Sequence, residues 1–239
     1  MSLPTSKFRV RLGFVLRLLL IPVLFLVTLY GVLLALQTYS AWEAARALDK
    51  LQRLQLGDPA AAFTAAVSGW RSDRDEYYWL QPIIWRADWD GWLYNHISPR
   101  TAEWVRHLSV LLELRFWRLQ ASPRFENGRI TYVSTTLLVF NREESVGGGW
   151  ELMSSVPERY LRATPGLNMP SFVAWFHITS NPGGYGYRVI VTPRSSPGDV
   201  NARQIKCTCL LPFRHCRTPL ELLPNLSPLL EKQNLVMRH

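Results

Sequence analysis

Four side chains able to bind a soft metal lie within ten residues near the C-terminus: Cys207, Cys209, His215 and Cys216. Structural zinc takes such ligands in tetrahedral sets with recognisable spacings. CxC followed by an adjacent His-Cys is not one of them, and on an alternating strand His215 and Cys216 would be hard to aim at one ion. A disulfide is the other chemistry open to these thiols, and the commoner one on the oxidising side of a membrane. Cys209–Cys216, which would close the turn from a final strand into a capped helix, is the expected bridge. Cys207–Cys216, unpaired thiols and a metal remain as alternatives.

Elsewhere the residue types suggest little catalysis. VGGGW (146–150) and GGYG (183–186) lack the strand-to-helix context and the lysine of a phosphate-cradling loop, so they read as turns. Asp73, Asp75 and Glu76 fall in RSDRDEYY, where the register of a calcium loop fails and a solvated loop is expected. His96, His107 and His177 accompany no readable nucleophile motif, and neither GxSxG nor HExxH occurs. No catalytic residue, cofactor or metal is expected. The chain has ten Trp, nine Tyr and ten Phe, many of them between Trp70 and Trp117. Large aromatics serve cores and interfaces; among these, Trp79, Trp85, Trp89 and Trp92 are the candidate surface for a ligand or partner.

The elements that must position these groups begin with an anchor. Leu18 to Leu36 reads LLLIPVLFLVTLYGVLLAL, nineteen residues without a charge, which as a helix matches the hydrocarbon thickness of a bilayer. Lys7, Arg9, Arg11 and Arg17 precede it with no acidic residue, so the positive-inside rule keeps residues 1–17 cytoplasmic and sends the C-terminus across. The nearest Ala-x-Ala, Ala45-Arg46-Ala47, lies well past the span, so an uncleaved anchor is expected. Residues 58–239 are then a periplasmic or extracellular domain. Its basic residues are scattered rather than clustered, which argues against nucleic acid.

Past the span, Ala41, Ala44, Ala45, Leu48 and Leu51 recur at helical spacing, predicting a juxtamembrane stalk over residues 37–57. Asp58 as N-cap, Pro59 at the first position and Gly69 as stop predict a short second helix. Ser98 or Thr101 starts a further helix. LRFWRLQA and RITYVSTTLLVF flank FENG, where Asn127-Gly128 suits a type I′ hairpin; Pro123 limits the first to an edge or interrupted strand. SFVAWFHIT and YGYRVIVTP form a second hairpin, and Ala202 to Leu211 a last strand, with Ile205, Cys207, Cys209 and Leu211 on one side. Thr218-Pro219-Leu220-Glu221 fits a capping box. The fold class is α+β, its domain a mainly antiparallel sandwich or open barrel with short helices.

The anchor, the stretch LQRLQLGDPAAAF after it and the segment CLLPFRHCRTPLELLP together resemble a family of single-span bacterial envelope proteins, to which no function is attached. The resemblance implies an envelope location and supports the Cys209–Cys216 pairing; Cys207 departs from the family pattern. The expected function is a non-enzymatic binding or interaction module held to membrane lipids by its helix, its partner another membrane or envelope protein. An enzyme acting on envelope material and an accessory scaffold of a membrane complex are the alternatives.

Overall fold

A continuous helix, α1, runs from Thr5 to Gln52 and changes environment along its length. The computed structural model describes residues 5–73, 76–82, 112, 114, 116–141, 144–162, 169–179 and 183–233. Within α1 the stretch from Leu20 is long and apolar enough to cross a membrane, with a mean hydropathy of 2.3. Its side chains there stand free of the domain: Ile21, Leu24 and Phe25 are 71%, 68% and 66% exposed. From Gln37 onward one side is buried, with Gln37, Ser40, Ala41, Ala44, Ala47, Leu48 and Leu51 in the interior. Small residues on that side let the helix lie close to its neighbours. The predicted stalk is therefore a core helix of the domain and not a spacer beneath it.

α1 ends in a turn that reaches the sheet. The Gly57 N–H donates to the Ile130 carbonyl and the Ile130 N–H to the Asp58 carbonyl, both at 2.8 Å. The Asp58 carboxylate is turned back onto the Gln55 N–H at 2.8 Å, so it does not cap the next helix. That helix, α2 (Ala60–Ala66), starts from Pro59 without a side-chain cap. It buries Phe63 against Tyr78 and Phe125 in edge-on ring contacts.

Seven strands form one sheet: β1 (Arg71–Asp73), β2 (Tyr77–Leu80), β3 (Phe116–Glu126), β4 (Arg129–Phe140), β5 (Ser145–Leu152), β6 (Ser171–Ile178) and β7 (Gly184–Val191), in the order β1-β2-β3-β4-β5-β7-β6. Neighbours are antiparallel except β5 and β7, which run parallel. The fold is α+β with an open, mixed sheet, which corrects the expected sandwich or barrel. Helices supply the second layer instead. Asn127 and Gly128 both take positive φ, 52° and 71°, as a two-residue hairpin turn requires. Pro123 lies in β3 beyond the residues that β2 pairs, so its missing N–H breaks no ladder on that side.

Two glycine runs read as turns are strands. Gly147, Gly148 and Gly149 occupy the middle of β5, between β4 and β7, and Gly184 and Gly186 open β7. The reason is crowding. A methyl group at Gly149 would come within 2.6 Å of the Thr135 carbonyl, one at Gly148 within 3.0 Å of the Leu222 side chain, and one at Gly147 within 2.8 Å of the Phe176 ring. Composition alone assigns glycine to turns; here it marks close approach on both faces of a buried strand.

The chain leaves β5 through α3 (Glu158–Leu161) to β6, and leaves β7 through α4 (Pro197–Asn201), a 3-10 turn (Thr208–Leu210), α5 (Pro219–Leu222) and α6 (Ser227–Lys232). No strand forms over residues 202–211. Ile205, Cys207 and Cys209 are buried as the alternation required, but the backbone is spent on turns, with the Lys206 N–H donating to the Leu222 carbonyl at 2.8 Å. At Thr218 the capping box is absent: the hydroxyl makes no cap bond, and the Glu221 carboxylate accepts from the Arg217 N–H at 3.0 Å. The loop expected at RSDRDEYY is in its described part the β1–β2 hairpin. The helix predicted from Ser98 or Thr101 lies outside the described residues.

The core joins α1, α2, α5 and α6 to one face of the sheet, with Trp117, Trp150, Leu137 and Val189 fully buried there. Hydrophobic burial of this extent, at about 25 cal/mol per Å² of apolar surface, makes α1 inseparable from the domain's stability.

Candidate functional site

The face of the sheet away from this core carries the polar residues. Strand register aligns Arg71, Trp79, Gln120, Thr136, Gly149, Arg188 and Ala174 in one row across all seven strands. Neighbouring positions on the same face bring in Arg118, Ser122, Ser134, Tyr132 and Glu151. A small apolar cluster of Phe172, Ala174 and Ile190 with Val156, Tyr160 and Leu161 covers the β6–β7 end.

At the centre, Arg188 spans the space that the glycines leave. Its Nη1 donates to Glu151 Oε1 at 2.7 Å and its Nη2 to Thr136 Oγ1 at 3.2 Å, while the guanidinium lies 5.1 Å from the centroid of the Phe176 ring. Phe176 itself rests over Gly147 and Gly186, where a Cβ would exclude it. Glu151 is only 5% exposed, so this pair is largely desolvated, and losing one partner would strand a buried charge. Burial first, and the neighbouring Glu151 carboxylate second, push the Tyr132 phenol above its usual range. Tyr132 therefore stays a protonated donor beside Glu151. A carboxylate that already accepts from the Arg188 guanidinium and lies beside the Tyr132 phenol is engaged on both sides, which suits a fixed recognition surface better than proton transfer.

The predicted residues divide. Trp79 is on this outer face, half-buried, in register with Gln120. Trp85, Trp89 and Trp92 lie outside the described residues. Trp117, from the same aromatic-rich stretch, is fully buried in the core. The Sγ atoms of Cys209 and Cys216 are at disulfide distance, 2.00 Å, and Cys207 is a buried free thiol whose burial pushes its pKa up to about 12. Among the described residues no group of three or more His, Cys, Asp or Glu side chains could hold a metal ion.

The Arg188–Glu151 pair escaped the sequence reading. A charge at Arg188 inside YGYRVIVTP, alternating with apolar neighbours, was the available signal for a polar second face. Its partner, 37 residues away, is adjacent only because β5 and β7 run parallel. No family model matches the chain, and neither a curated protein nor a solved structure does.

Proposed function

We propose that the chain is a single-span membrane protein with its N-terminus cytoplasmic and its sheet domain on the other side, acting as a non-enzymatic interaction module. The observation that carries the anchor is the change in α1 from all-round apolar exposure at Leu20–Leu29 to one-sided burial from Gln37. In water, such exposure over several turns would be costly; in lipid it is the stable arrangement. Helical continuity also supports an uncleaved anchor. A cut at Ala45-Arg46-Ala47 would divide the helix that places Ala41, Ala44, Leu48 and Leu51 in the core.

The partner surface is the outer face around Trp79, Gln120 and Arg188, and its partner another membrane or envelope protein. Aromatic and arginine side chains on a sheet that is already rigid give contact area at little entropic cost.

Alkaline carbonate extraction of membranes bearing the full chain tests the anchor: the protein should stay with the bilayer, and release into the supernatant would reject it. Protease treatment of sealed vesicles of known sidedness tests orientation. A C-terminal tag digested from the cytoplasmic side would reverse it.

A further inference from the structure

The segment between Cys209 and Cys216 ends in an exposed tip. Phe213 is 65% exposed and takes a positive φ of 62°, an uncommon conformation for a bulky side chain. Cys209 and Cys216 are both buried in the core on either side of it, so the loop is held while its tip projects. Arg214, His215 and Arg217 are exposed beside Phe213. Glu221 has its carboxylate on the Arg217 N–H. An aromatic tip flanked by arginines is the pairing of chemistries found where protein meets a membrane interface.

Hydrogen bonds fix the end of the sheet at which this loop sits. The chain leaving α1 is pinned at Gly57 and Asp58 to Ile130, at the start of β4. Asn141, just past the other end of β4, donates through Nδ2 to the Cys216 carbonyl at 2.7 Å. At 3.3 Å per residue the two ends are about 36 Å apart. α1 touches the 3-10 turn that carries Cys209. On α1, Tyr39 and Trp42 are 53% and 52% exposed, with Arg46 4.4 Å over the Trp42 ring. Tyr39 lies 19 residues beyond Leu20, about 28 Å along a helix, the depth at which an aromatic belt belongs.

We propose that the Cys209–Cys216 loop docks on the bilayer that α1 crosses, with Phe213 entering the interface and Arg214 and Arg217 binding the phosphates of anionic lipids. This rests on the reading of α1 as a span. The domain is then held to the membrane at two points, which fixes its tilt and the direction in which the outer face of the sheet looks.

The test uses the full chain in nanodiscs, with p-benzoylphenylalanine in place of Phe213 or, separately, of Phe25 in the apolar stretch. After illumination, adducts are identified by peptide mass spectrometry. Lipid adducts are expected at both positions. Those at 213 should fall about fivefold for each of Arg214→Gln and Arg217→Gln, and about 25-fold in purely zwitterionic lipid, where both arginines lose their partners. Adducts at 25 but none at 213, or adducts at 213 to protein only, overturn the docking and leave the span intact. Yields at 213 indifferent to lipid charge overturn the role of the arginines. Failure at both positions rejects the span and the docking together.

Discussion

The guanidinium of Arg203 closes the last turn of α1: it donates to the Gln52 carbonyl and lies 5.2 Å from the centroid of the Trp150 ring, while Gln52 Nε2 returns a bond to the Arg203 carbonyl at 3.4 Å. A cation at a helix C-terminus satisfies carbonyls that have no partner within the helix and complements its dipole. Because Trp150 belongs to β5, one side chain ties α1 to the centre of the sheet.

Arg203→Ala should therefore lower stability by about 2 kcal/mol, the range for a hydrogen bond to a charged group. Arg203→Lys should recover part of it, lacking the planar group that stacks on indole. Urea unfolding of the detergent-solubilised chain measures both. Arg53→Ala, at an exposed ion pair with Asp49, is the comparison, and an equal loss there would contradict the role of Arg203.

The thiols should report their surroundings in three steps. Unreduced native protein takes up no alkylating agent at pH 8, since Cys207 is buried and its thiolate form is suppressed. Denaturation without reductant exposes Cys207 alone, and reduction frees all three cysteines. Mass spectrometry after each step counts the labels.

Gly149→Ala should cost roughly 1–3 kcal/mol, the usual range for overpacking, because the added carbon meets the Thr135 carbonyl, a backbone atom that cannot swing aside. Gly31→Ala in the apolar part of α1, where nothing lies within 4 Å, should leave the thermal midpoint unchanged. Equal melting of the two variants would show that β5 tolerates a side chain.

Acid should weaken the domain through Asp199. Burial alone would raise this carboxyl, but Lys232 Nζ at 2.8 Å and the Ser196 hydroxyl and N–H outweigh it and hold it below the usual carboxylate range. A depressed native value means that the carboxylate favours folding above its unfolded value near 3.8 and that this help fades as pH falls through and below it. Unfolding midpoints of wild type and Asp199→Asn, compared between pH 6 and pH 3, should converge on acidification. A gap that widens would contradict the sign.

The long helix, the Asn127–Gly128 hairpin and the β6–β7 pair were legible because their signals are local. Nineteen uncharged residues, a dipeptide tolerant of positive φ and two strand-like runs joined by Ser180-Asn181-Pro182-Gly183-Gly184 need no distant partner to be read. Local signals mislead where distant neighbours decide. Thr218 reads as half of a capping box, yet the Arg217 N–H takes the Glu221 carboxylate first. Residues 202–211 alternate like a strand, yet they pair with no strand, and turns bury the same side chains.

From the residues alone came an apolar helix of membrane length with a basic N-terminal flank, three cysteines of which Cys209 and Cys216 were the favoured pair, and a strand-rich C-terminal part. Tertiary structure decided that the helix beyond the apolar stretch is core, that the Gly147–Gly149 run is the middle of a sheet, and that Glu151 meets Arg188. The physical reason is range. Hydropathy and turn preference act over a few residues, whereas the need for glycine in β5, the parallel pairing of β5 with β7 and the polar outer face arise only when segments far apart in the chain compete for the same space.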